Sequence, residues 1–146
     1  MQLDDLYRQV IMDHYQHPRN QGKLSDDAVS VDLRNPSCGD EISLQLIVEE
    51  GIVKDVRFKG SGCSISMASA SMMTEAVKGL PVADALHLSH EFREMMKGQD
   101  VDLDTLGELE SLQGVSKFPA RIKCATLAWQ ALERATATDE AEEASH

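Results

Sequence analysis

An α+β domain, with a small antiparallel sheet of about three strands and helices packed on one face, is the fold this 146-residue sequence predicts. Three observations carry that expectation. Ile42, Leu44, Leu46 and Val48 alternate with Glu41, Ser43 and Gln45, the period of a half-buried strand. Glu49-Glu50-Gly51 turns the chain back into a second strand over 52–59. Beyond residue 63 the apolar spacing becomes helical, and strands followed by helices define the α+β class.

The elements follow in order. Leu3, Leu6, Tyr7, Val10 and His14 recur at helical spacing, which predicts an amphipathic helix over 3–16, ended by Pro18 and a turn at Asn20 and Gly22. Residues 28–33 suit a short strand. Gly60-Ser61-Gly62 then breaks the strand pattern before a helix over 64–78. That helix is rich in small residues (Ser64, Ser66, Ala68, Ser69, Ala70, Ser71), which let it lie close against a neighbour. Pro81 opens a third helix running to about Lys97, with Val82, Leu86, Ser89, Phe92 and Met96 on one face and Gly98 as its stop. Asp104, Thr105 and Glu108 resemble a capping box ahead of Leu106, Leu109 and Leu112. Pro119 suits the first position of a last helix, whose buried stripe is Ile122, Ala125, Trp129 and Leu132. No internal repeat or linker interrupts this order, so one domain is expected over 1–135, with a disordered acidic, alanine-rich tail over 136–146.

Composition narrows the function. A net charge of −11 disfavours nucleic acid and anionic membranes as partners. No apolar run approaches the ~18 residues of a membrane span. The N-terminal Met1-Gln2-Leu3-Asp4-Asp5 has neither the basic nor the apolar region of a signal peptide. Three cysteines cannot all pair within one chain, so a cytoplasmic protein with reduced thiols is expected.

Those cysteines carry the chemistry. Cys38 lies in Asn35-Pro36-Ser37-Cys38-Gly39-Asp40, where Gly39 permits backbone angles that let Cys38 and Asp40 converge. Cys63 stands at the start of the small-residue helix, whose free N–H groups favour a thiolate. Cys124 falls in the second turn of the last helix, between Arg121 and Ala125, with Lys123 beside it. Three thiols and a carboxylate match a closed tetrahedral zinc shell, so Cys38, Asp40, Cys63 and Cys124 are the candidate ligands. A small buried hydrophobe is the competing reading for each cysteine, and it is strongest for Cys124. The i,i+3 pairs His14/His17 and His87/His90 could hold a metal in principle, but solvated or partly buried histidine suits them better. The seven methionines read as core filler.

Four ordered motifs resemble one family. They are Asp13-His14-Tyr15-Gln16-His17-Pro18-Arg19-Asn20-Gln21-Gly22, the Cys38 and Cys63 motifs above, and Arg121-Ile122-Lys123-Cys124-Ala125-Thr126-Leu127-Ala128-Trp129. Together they resemble the IscU/NifU N-terminal family of iron–sulfur assembly proteins across residues 3–133. IscU proper has a histidine where Lys123 stands, and its Leu-Pro-Pro-Val-Lys segment is not matched by 114–119. The stretch over 80–111 is longer than in the family's shorter members. These departures resemble the SufU branch.

That resemblance implies a zinc protein that takes persulfide sulfur from a SufS-type cysteine desulfurase and passes it to a SufB-containing scaffold complex, without hydrolysis. It also implies that a desulfurase histidine takes over a vacated zinc position, freeing Cys38 as the sulfur acceptor. Arg121 would help orient the site or the partner. Two alternatives remain open at this point. One is an IscU-like scaffold holding iron or a transient [2Fe-2S] cluster, and the other is a zinc-stabilised binding module without sulfur chemistry.

Overall fold

The computed structural model describes residues 3–24, 28–35, 39–101 and 103–144, and the side chains of 3–7, 103, 105 and 138–144 are left aside. Helix α1 (Leu3–Gln16) precedes strands β1 (Val29–Asn35), β2 (Asp40–Glu49) and β3 (Ile52–Ser61). Helices α2 (Ser64–Val77), α3 (Val82–Met96) and the single turn α4 (Leu103–Leu106) follow. A 3-10 helix (Gly107–Lys117) leads into α5 (Pro119–Ala144).

The strands form one antiparallel sheet in the order β1-β2-β3, as the alternation predicts. Glu50 and Gly51 both adopt positive φ, 54° and 77°, the requirement of a type I′ hairpin whose twist matches the flanking strands. A register shift between Ile47 and Val48 gives β3 one extra residue, so Val53 and Val56, three apart, both face the core. β3 runs through Gly60 and Ser61 rather than breaking before them, because Gly60 pairs with Ile42. A side chain at Gly60 would collide with the backbone carbonyl of Glu41. The glycine is there for close strand approach.

Helix α5 packs across β1 and β2, and α2 across β3, while α1, α3 and the 3-10 helix pack on this helical layer. Ile42, Leu44, Leu46 and Phe58 meet Trp129 and Leu132 in a core from which water is excluded. Met67, Met72, Met73, Met95 and Met96 are buried there as core filler, whereas Met12 is exposed and Met1 lies outside the described residues. Arg93 on α3 donates to both carboxylate oxygens of Glu133 on α5, at 2.8 and 2.7 Å. Burial works to raise the Glu133 carboxyl, but bonds from Arg93 and Ser89 outweigh it and hold it below the ordinary glutamate value.

Three expectations are corrected. The inward face of α3 is Val82, Ala85, Leu88, Ser89, Phe92, Met95 and Met96, and Leu86 is only half-buried. Two neighbours, α5 and the 3-10 helix, share that face and widen the stripe. The predicted helix at 104–112 is α-helical for one turn only; at Gly107, with a φ of 56°, the α-helix ends and a 3-10 helix takes over. Glu108 does not serve a capping box there, because its carboxylate is 2.7 Å from Nε2 of His14. His14 is itself buried, its Nδ1 2.7 Å from the Ser71 hydroxyl. Helix α5 runs on to Ala144. Thr136 is still buried, and the alanine and glutamate beyond it are good helix formers that extend a helix already nucleated.

Candidate metal centre

Asp40 opens β2, opposite Asn35 of β1. Gly39 before it has a φ of 73°, which reverses the chain where the sequence expects a glycine, and its N–H donates to the Asn35 carbonyl at 2.8 Å. The Asp40 side chain is fully buried, with 0% exposure. Its Oδ1 accepts the Cys63 backbone N–H at 3.0 Å, and its Oδ2 lies 3.8 Å from Cys63 Sγ.

Cys63 is the residue capping α2, with extended angles of φ −70° and ψ 166°. Asp40 therefore takes the amide proton at the start of α2, where the helix dipole also favours negative charge. Gly62 makes this possible. A Cβ there would lie 2.8 Å from Asp40 Cγ and 3.1 Å from Asp40 Cβ. Gly62→Ala is therefore expected to push the carboxylate off the Cys63 amide, at a cost of about 1–3 kcal/mol for overpacking. Thermal unfolding together with zinc competition would check it, both falling in the variant.

Cys124 comes from the second turn of α5 and is 1% exposed. Cys63 and Cys124 are both free thiols. One ligand atom each from Asp40, Cys63 and Cys124 lies within 4.8 Å of the other two. Among the described residues no other group of three or more His, Cys, Asp or Glu gathers this closely, the two histidine pairs included. Cys38 lies outside the described residues.

Arg121 flanks the site. One turn before Cys124, its guanidinium sits against both sulfurs. The charge of Cys63 above all, then a hydrogen bond to Cys124, raises its pKa above the ordinary arginine value. Lys123, the other expected cation, is exposed like Arg121, and no contact ties it to the sulfurs among the described residues. Spacing on the helix marks both as neighbours of Cys124, and only the packing of α5 against α2 selects Arg121.

Two soft thiols and one buried carboxylate, converging at a helix N-terminus, form a donor set that fits Zn²⁺. The NifU-like N-terminal domain family matches residues 6–125. The chain belongs to that family. Within it, the chain is 59% identical over 140 residues to a Bacillus subtilis protein named zinc-dependent sulfurtransferase SufU, covering 94% of each chain. It is 49% identical over 134 residues to a Streptococcus pyogenes protein named iron-sulfur cluster assembly scaffold protein IscU, covering 91% of this chain and 84% of that one. A crystal structure from Fervidobacterium islandicum, described as a scaffold protein for the SUF system, superposes with a TM-score of 0.83 at 32% identity. It covers 90% of this chain and 97% of the other. The NifU-like fold expected from the four motifs is thus confirmed. No helix among the described residues is long and apolar enough to cross a membrane.

Proposed function

We propose that this NifU-family chain is a zinc-dependent sulfur acceptor in iron–sulfur cluster assembly, taking persulfide sulfur from a cysteine desulfurase of the SufS type. The observation that carries the proposal is the convergence of buried Asp40 and Cys124 with half-buried Cys63, their ligand atoms within 4.8 Å of one another. With Cys38, two residues from Asp40 in sequence, they complete a tetrahedral shell of three thiolates and one carboxylate. Bound zinc would keep the cysteines as thiolates and protect them from oxidation.

The transfer itself is thiol exchange. Cys38 thiolate attacks the outer sulfur of the desulfurase persulfide, a new S–S bond forms at Cys38, and the desulfurase cysteine leaves as a thiolate. Electrons balance without an added oxidant. Asp40, tied to the Cys63 amide, and Arg121, beside Cys63 and Cys124, hold the rest of the site in place during the exchange. The sulfur then passes to a SufB-containing scaffold complex. A groove of about 520 Å³ runs from Arg121 past Arg8 and Lys117, with Phe118 61% exposed along it. Cations around an apolar floor suit a desulfurase surface that is acidic and apolar.

A second reading, an assembly scaffold, is favoured by the relatives that carry that name. Metal analysis of untagged protein, purified with and without added iron and sulfide, separates the two. About one zinc per chain and no colour supports sulfur transfer, and a brown protein holding iron and sulfide overturns it.

A further inference from the structure

Asp40 and Cys63 are tied to each other by a backbone hydrogen bond, whereas Cys124 is carried by a different helix. Its distance from the other two is set by how α5 lies on α2. Helix α2 meets α5 along its length, and Ser69, fully buried, lies in that contact. Helix α5 is also held by β1, β2 and the Arg93–Glu133 pair, but these grip it away from Cys124 or through apolar packing.

Ser69 adds a polar tie beside Cys124. Its hydroxyl donates to the Ala125 carbonyl at 2.6 Å and accepts from Trp129 Nε1 at 3.2 Å. Ala125 and Trp129 stand one turn apart on α5, and Ala125 directly follows Cys124. One buried oxygen therefore grips two levels of the helix that carries Cys124. Ser69 sits on the same helix that Cys63 caps. The Trp129 ring is fixed in turn by stacking on Phe92, with centroids 4.8 Å apart.

We infer that Ser69 and Trp129 are positioning residues for the metal centre: their hydrogen bonds lock the rotation and axial position of α5 on α2, and so the place of Cys124 Sγ. The inference rests on the zinc reading above. Metal–ligand distances tolerate about 0.2 Å, whereas a slip of one residue along a helix moves a side chain by ~1.5 Å and turns it by ~100°. A brace this close to Cys124 therefore controls ligand geometry more than it controls the fold.

The test uses the full chain loaded with zinc, titrated with a chromophoric chelator, and the Co²⁺-substituted protein read by its thiolate and d–d absorption bands. Ser69→Ala removes both bonds, and Trp129→Phe removes the indole donor while keeping an aromatic ring against Phe92. Ser69→Ala should weaken zinc binding by about 10-fold, the scale of an outer-shell loss, and shift the Co²⁺ bands. Trp129→Phe should move both readouts the same way by less, and Ser69→Thr, which keeps the hydroxyl, should restore them. Wild-type affinity with an unchanged Co²⁺ spectrum in Ser69→Ala overturns the inference, even if the melting temperature falls. If Ser69→Ala does not fold, the same result in Trp129→Phe overturns it. A wild-type chain that binds neither metal overturns the zinc centre itself, and this inference with it.

Discussion

Cys63→Ala and Cys124→Ala proteins should each be purified with most of their zinc gone. Both residues supply a sulfur to a three-atom cluster already drawn together, so neither can be replaced by a neighbouring donor. Loss of a ligand should exceed the ~10–100-fold weakening typical of an outer-shell partner. Asp40→Ala should weaken binding too, and should also loosen the start of α2, because the Cys63 amide loses its acceptor. Zinc–thiolate sites contribute ~10–16 kcal/mol in small peptides that have no other core. This chain has a core of its own, with Trp129, Phe58, Phe92 and the β2 leucines fully buried, so its helical circular dichroism should survive zinc removal while its melting temperature falls. Metal analysis of the three variants checks the assignment. Full zinc occupancy in Cys63→Ala would show it to be wrong.

Cys38→Ala should abolish sulfur acceptance and leave substantial zinc in place. Cys63 caps a helix and Cys124 is buried within one, so both are held by the elements that carry them. Cys38 belongs to the stretch between two strands, where Gly39 gives the chain its reversal. We propose Cys38 as the thiol that meets the incoming persulfide, so its loss should remove the nucleophile while three ligands remain. The expected result is no persulfide on the variant after incubation with desulfurase and cysteine, and no rise in desulfurase turnover. Intact-mass and peptide mass spectrometry read it directly. Added sulfur on Cys63 or Cys124 in the variant, with turnover still stimulated, would reject Cys38 as the acceptor.

Much of this molecule is legible from residues alone. Alternation from Glu41 to Lys59 specifies the hairpin, because side chains with a period of two can bury only one face. Pro119 starts α5 where its missing N–H costs nothing, and Ser64 starts α2 one residue after Cys63. The cysteine motifs name Asp40, Cys63 and Cys124 before any contact is known. Where local reading fails, two segments compete for one side chain. Glu108 could cap its own helix, but the buried His14 ring claims it from α1. Leu86 keeps a helical period, yet the face of α3 is decided by α5 and the 3-10 helix pressing on it together.

Sequence by itself determined the class of fold, the order of its elements and the residue types that can bind a soft metal, since these depend on period, composition and short spacing. Tertiary structure decided that Asp40 holds the Cys63 amide, that Gly62 must lack a side chain to allow it, and that Arg121 rather than Lys123 faces the sulfurs. It also decided that Ser69 joins α2 to α5 beside Cys124. The physical reason is one of range. Periodicity reports which side of an element is apolar, but the rotation of one helix on another is fixed by packing between residues far apart in the chain, and metal chemistry depends on that rotation to within fractions of an ångström.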